Sequence, residues 1–225
     1  MLFNLVGPLI VSGDVDPLLN ILSSRGLPIP SGRIRGVFEY EDRRVFNEDS
    51  GQPTSIDLVL QDERGAPFVF LESKFAEKEF GGCSVFANGD CDGRNPSSQF
   101  DLCYLHFIGR TYWSLLEKHG FLSERAGHNV TCILSSYYQF FRELLLAVER
   151  DGKFVLLFDS RNPTFLSDGR PGQRGLVPFL LECVPPHLKQ QVVTVTVQEL
   201  VTAIKSSNRH PWISEFERKY GLSAL

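Results

Sequence analysis

With 225 residues, 42% of them hydrophobic and 12% aromatic, the chain can bury a substantial core, and its length suits one domain. A formal net charge of -4 argues against indiscriminate polyanion binding by the chain as a whole, although a local basic patch can still dominate contact with phosphates. Five cysteines at scattered spacings do not read as a disulfide framework, and no apolar run approaches the ~18 residues of a membrane span, so a reducing cytoplasm without membrane attachment is expected.

The N-terminal stretch MLFNLVGPLIVSGD is apolar but lacks the basic region and small-residue cleavage pattern of a secretory signal. Ser12-Gly13-Asp14 ahead of VDPLLNILSSRG supplies a capping candidate, an early Pro and a terminating Gly, predicting a short helix. Residues 33–46 alternate charged and apolar side chains and predict a long first strand. Residues 55–75, SIDLVLQDERGAPFVFLESKF, then read as a β-hairpin with turn chemistry at 62–67. Residues 76–98, rich in Gly, Asn and Asp, predict a long loop or insertion. Helical segments follow from 98, with Gly109 as a break. The clearest helix covers 135–150, where Tyr138, Phe141, Leu145 and Val148 mark an apolar stripe. Residues 153–159 predict a strand buried on both faces, 168–175 a basic loop, 176–183 a helix, 191–197 a last strand, and 198–205 and 211–220 two closing helices. Neither a repeat nor a long linker divides this order, so residues 1–225 are expected to be a single α/β domain. Its mixed central sheet would contain an antiparallel meander of three strands plus two later strands, flanked by helices.

The hairpin carries the chemistry. Centred between Arg64 and Gly65, it pairs residues whose numbers sum to 129, placing Asp57 opposite Glu72 and Leu58 opposite Leu71. Lys74 shares a face with Glu72, because strand side chains alternate with period two. Directly opposed Cβ atoms lie ~5 Å apart, so two carboxylates there repel unless something neutralises them. A hard divalent cation does this through one or two carboxylates, with waters and substrate phosphate completing its shell. The alternative is a buried structural pair of Lys74 with Glu72 or Asp57, an arrangement that is expensive to desolvate.

Asp57, fourteen intervening residues, then Glu72-Ser73-Lys74 resembles the signature of the PD-(D/E)XK nuclease superfamily, with Ile56 where the name has Pro. KFAEKEFGGC, YYQFFRELLLA and LLFDSRNP extend the resemblance to a group of bacterial restriction endonucleases of that superfamily, over most of the chain. The resemblance implies a restriction-endonuclease-like core and Mg²⁺- or Mn²⁺-dependent hydrolysis of DNA. DNA would be the partner, and a homodimer would be compatible with it. Asp57 and Glu72 would hold the metal, and Lys74 would orient water or stabilise charge. Glu39, sharing parity with Glu41 on the first strand, is a candidate third ligand; the other reading of both is a solvated strand paired with Arg43 or Arg44. Gln139 and Arg142 resemble the polar residue that such proteins bring from a helix to the site, or they form a solvated helix face.

Cys83, Cys91 and Cys103, with Cys132 or His106 as a fourth member, form a second constellation. Thiolates of this kind bind zinc or an iron–sulfur cluster, although close CxxC pairs are missing and single cysteines also serve as small buried hydrophobes. Arg161, Arg170, Arg174, Lys189 and Arg209 could gather on a DNA-facing rim or simply decorate a surface. Two further classes remain open: a catalytically silent nucleic-acid- or protein-binding module on the same scaffold, and a regulator organised by its cysteines.

Overall fold

The computed structural model describes residues 1–165 and 175–222. Its centre is a five-stranded sheet with strands in sequence order: β1 (Arg35–Asp42), β2 (Thr54–Gln61), β3 (Pro67–Lys74), β4 (Lys153–Phe158) and β5 (Val192–Thr196). The first three form an antiparallel meander, and β3–β4 and β4–β5 are parallel. This is the expected mixed sheet with helices on both faces. The hairpin register matches the expectation for Leu58 opposite Leu71, Val59 opposite Phe70 and Leu60 opposite Val69, but it shifts by one residue beside the turn, where Gln61 faces Pro67 across an irregularity.

Alternation along the strands builds two cores. Val59, Phe70, Phe154, Leu156 and Phe158 face one side. They meet α8 (Ile133–Glu149), α6 (Tyr112–Lys118) and α9 (Leu176–Leu181). Leu58, Leu60, Leu71, Val155, Leu157 and Val195 face the other. That side is covered by α1 (Leu2–Leu5), α2 (Gly7–Ser12), α3 (Asp16–Ser24), α10 (Val197–Ser206) and α11 (Ile213–Tyr220). β4 is buried on both faces, as its unbroken apolar run requires. The remaining short helices, α4 (Ser84–Ala87), α5 (Tyr104–Phe107) and α7 (Arg125–His128), lie in the long connection between β3 and α8. Among the described residues, no helix is long and apolar enough to cross a membrane.

Several local expectations are corrected. The N-terminal apolar stretch forms α1 and α2, whose buried Leu2, Leu5 and Leu9 close the second core. Asp14 does not cap α3; its carboxylate pairs with Arg209 at 2.9 Å and His210 at 3.1 Å, tying the N-terminal helices to the segment before α11. β1 ends at Asp42, short of residue 46, because the Asp42 carboxylate accepts the backbone N–H groups of Arg44 and Val45 and turns the chain. The same carboxylate accepts Arg150 Nε–H at 2.9 Å, fixing the end of β1 to the end of α8. The basic loop expected at 168–175 lies outside the described residues but for Gly175.

One irregularity bears on function. Phe38 and Leu58 pack in the second core whereas Tyr40 and Ile56 pack in the first, although strict alternation would keep residues two apart on one face. The strand pair therefore rotates between them, at Glu39 and Asp57, and Glu39 has φ +49°, the left-handed backbone that produces such rotations.

The fully buried Phe154 ring stacks edge-on against Phe140 of α8, with centroids 5.7 Å apart. Phe154→Ala is expected to cost about 3–5 kcal/mol by opening a cavity under α8, read as a fall in the urea midpoint; a cost below about 1 kcal/mol would contradict this packing.

Candidate functional site

The described β2–β3 pairing starts at Leu58–Leu71, so Asp57 and Glu72 stand just beyond its end, beside the rotation at Glu39. Asp57 is half-buried and its Oδ2 accepts the Ser73 backbone N–H at 2.8 Å and the Ser73 hydroxyl. Glu72 and Lys74 continue the Phe70 face toward α8 and are only 4% and 6% exposed. Lys74 Nζ lies 2.9 Å from Glu72 Oε1 and donates to Gln139 Oε1, also at 2.9 Å. Gln139 Nε2 donates to the same Glu72 oxygen at 2.7 Å. The Gln139 amide thus bridges both charged groups and fixes their orientation.

Glu143 is the residue that sequence reasoning missed. One helical turn after Gln139 on the same face of α8, it is completely buried, and no donor reaches either carboxyl oxygen in hydrogen-bonding geometry. Burial, and then the Glu72 charge, raise its proton affinity well above the usual carboxylate range. The available signal was an acidic residue inside the apolar run FFRELLLA. Arg142, by contrast, turns away from the site. Its guanidinium stacks on the Tyr138 ring at 4.9 Å and lies 3.9 Å from Glu48, which accepts the Thr54 N–H and the Tyr112 hydroxyl.

Charge explains the titration of the site. Burial, and then the Asp57 carboxylate, push Glu72 up to about 7, against the opposing pull of Lys74. Burial disfavours charge on Lys74, but Glu72 outweighs it and holds the ammonium above the ordinary lysine value. Three carboxyl groups thus crowd around one ammonium.

Other candidates are placed as follows. Glu39 is exposed on β1, between the Phe38–Leu58 and Tyr40–Ile56 pairs that flank Asp57, and Glu41 is exposed beside Asp42. Arg161 is engaged by both Asp159 oxygens and by the Tyr220 and Gly221 carbonyls, and Arg209 by Asp14 and Asp16, so these two are structural rather than free for a rim. Lys189 is exposed, and Arg170 and Arg174 lie outside the described residues. Cys83, Cys91, Cys103 and Cys132 line one small cavity, and His106, resting on Phe100, is not among its walls. Among the described residues, no three His, Cys, Asp or Glu side chains stand close enough together to hold a metal ion as they are placed. Neither Asp57–Glu72–Glu39 nor Cys83–Cys91–Cys103 is therefore a preformed three-ligand centre.

The insertion is joined to the site through a break in α8. Tyr137 has non-helical backbone angles (φ −130°, ψ 32°). Gly81 and Cys83 fill the break: Gln139 N–H donates to the Gly81 carbonyl at 2.9 Å, and Cys83 N–H is shared by the Leu134 and Ser135 carbonyls at 3.2 Å each. A Cβ on Gly82 would sit 2.4 Å from the Ser135 carbonyl oxygen, so only glycine permits this approach.

A family model described as Restriction Endonuclease associating with ARP matches residues 1–221. No curated protein and no solved structure matches the chain.

Because Glu72 binds its proton more tightly in the folded than in the unfolded chain, this contribution to stability is present below pH 4.5 and is lost as pH rises toward 7. Glu72→Gln is expected to flatten the decline in stability across that window, measured by urea unfolding at stepped pH; parallel profiles for parent and variant would refute the assignment.

Proposed function

The chain belongs to the family Restriction Endonuclease associating with ARP, and from that premise we propose that it is a nuclease that hydrolyses DNA phosphodiester bonds with a hard divalent ion. The observation that carries this reading is the Glu72–Lys74 pair bridged by Gln139 at the open end of the hairpin, with Asp57 held on the intervening Ser73. The donor set suits magnesium, which needs only one or two protein carboxylates beside water and substrate phosphate. The Glu143 oxygens, buried without a hydrogen-bond partner, also fit a site that takes up a further cation. When bound, such an ion polarises the phosphoryl oxygen and acidifies its water.

The remaining work belongs to the side chains. Half-buried Asp57 presents the solvent edge of the site, and Ser73 holds its carboxylate in place through Oδ2. Glu72, desolvated beside it, favours a cation once Lys74 is drawn toward substrate. Lys74, kept protonated by Glu72, supplies charge to the developing negative oxygens and orients the attacking water. Gln139 limits where the ammonium can go. The same scaffold without catalysis is the competing reading, and it predicts DNA binding without cleavage.

Asp57→Asn and Lys74→Met are expected to leave the circular dichroism spectrum unchanged and to slow Mg²⁺-dependent nicking of supercoiled DNA by about 10²–10⁴-fold. A parent chain that cuts no supercoiled, linear or single-stranded DNA with Mg²⁺ or Mn²⁺, or variants that cut as fast as the parent, would end the nuclease reading.

A further inference from the structure

The cysteine cavity lies outside the proposed nuclease machinery. Cys83, Cys91, Cys103 and Cys132 come from four separate points of the chain, the first three in the β3–α8 insertion and the last at the N-cap of α8. They enclose a space of about 20 Å³, whose other walls are Val85, Phe86, Tyr104, Leu105, Leu134 and Ser135. That is room for one water-sized sphere.

Four thiols in an apolar pocket also describe four small buried hydrophobes, and burial indeed raises the Cys83 thiol and lifts Cys132 to about 12. Their convergence speaks against that description: four cysteines from separate segments meet at one space. The Gly93 N–H also donates to Cys91 Sγ at 3.4 Å, a contact that favours negative charge on that sulfur. The surrounding chain needs a staple as well. Residues 76–111 contain only a 3-10 turn and helices of four residues besides loop. An isolated bridge between Arg94 and Thr131 and the Cys132 N–H bond to the Gly93 carbonyl hold it to the approach to α8.

We infer that Cys83, Cys91, Cys103 and Cys132 bind a single structural zinc ion, which ties the insertion to the start of α8. The cavity accommodates one ion rather than a four-iron cube. The sulfurs are not yet at ligand positions, so loading draws the four segments inward until each thiolate reaches about 2.3 Å from the metal and releases its proton. This inference is independent of the nuclease reading.

The test is metal and sulfide analysis of the full chain purified without chelator. About one zinc per chain is expected, without iron or acid-labile sulfide. Cys91→Ser and Cys103→Ser should each lose the zinc, whereas Cys183→Ala, in the core beneath α9, should retain it. Should the serine variants fail to fold, the intact chain decides. After chelator treatment, Co²⁺ should produce tetrahedral d–d bands with thiolate charge transfer, and zinc should protect four thiols from a disulfide reagent. Iron with sulfide, disulfides among these cysteines in the freshly purified chain, or a chain that takes up neither Zn²⁺ nor Co²⁺ would each overturn the proposal.

Discussion

An ammonium buried between sheet and helix is the constraint on which this molecule turns. Lys74 ends β3 almost inaccessible to water, which is tolerable only because Glu72 and the Gln139 carbonyl oxygen both stand at 2.9 Å. Breaking such an arrangement from one side leaves an uncompensated buried charge, a cost of about 3–5 kcal/mol, whereas the complete pair contributes little net stability. An arrangement so costly to maintain and so poor in return is a weak device for folding. It stands where the two strands part, the position that the proposed chemistry requires.

The rest of the architecture serves that position. The twofold alternation of β3 delivers Phe70 and then Glu72 and Lys74 to the side occupied by α8, and the spacing of Gln139 and Glu143 returns two polar groups from the helix. The rotation at Glu39 and Asp57 lets β2 leave the ladder where the carboxylates meet. The Asp42–Arg150 pair then holds the strand and helix ends together at the far end of the same layer. Geometry at the site is thus set by ordinary packing on both sides of it.

Much of this was legible in the sequence, for reasons that also mark the boundary of legibility. The hairpin register away from the turn followed from alternation, though not the one-residue shift at Gln61, and β4 followed from an apolar run with no polar face. Asp57, Glu72, Lys74 and Gln139 were readable because charged and polar groups in apolar elements are conspicuous. Glu143 was equally conspicuous but was passed over beside Arg142, which shares its helix and turns to the Tyr138 ring instead. The rotation at Glu39 could not be read, since a non-glycine residue with positive φ leaves no mark in the sequence. Nor could the gathering of Cys132 with the three insertion cysteines, which depends on how a loop of low periodicity lies across a helix end. Arg161 and Arg209 looked available only because their partners, Asp159 and Asp14, are assigned by the fold.

The break at Tyr137 has a consequence for how this chain could be altered. Because Gly81 and Cys83 satisfy an amide and two carbonyls that the interrupted helix cannot pair itself, the insertion is not a removable excursion. Excising it would strand three main-chain polar groups in the interior and release the glutamine that clasps the lysine. The segment that looks most dispensable in a linear reading is therefore a splint, and shortening must spare its first few residues to preserve the protein.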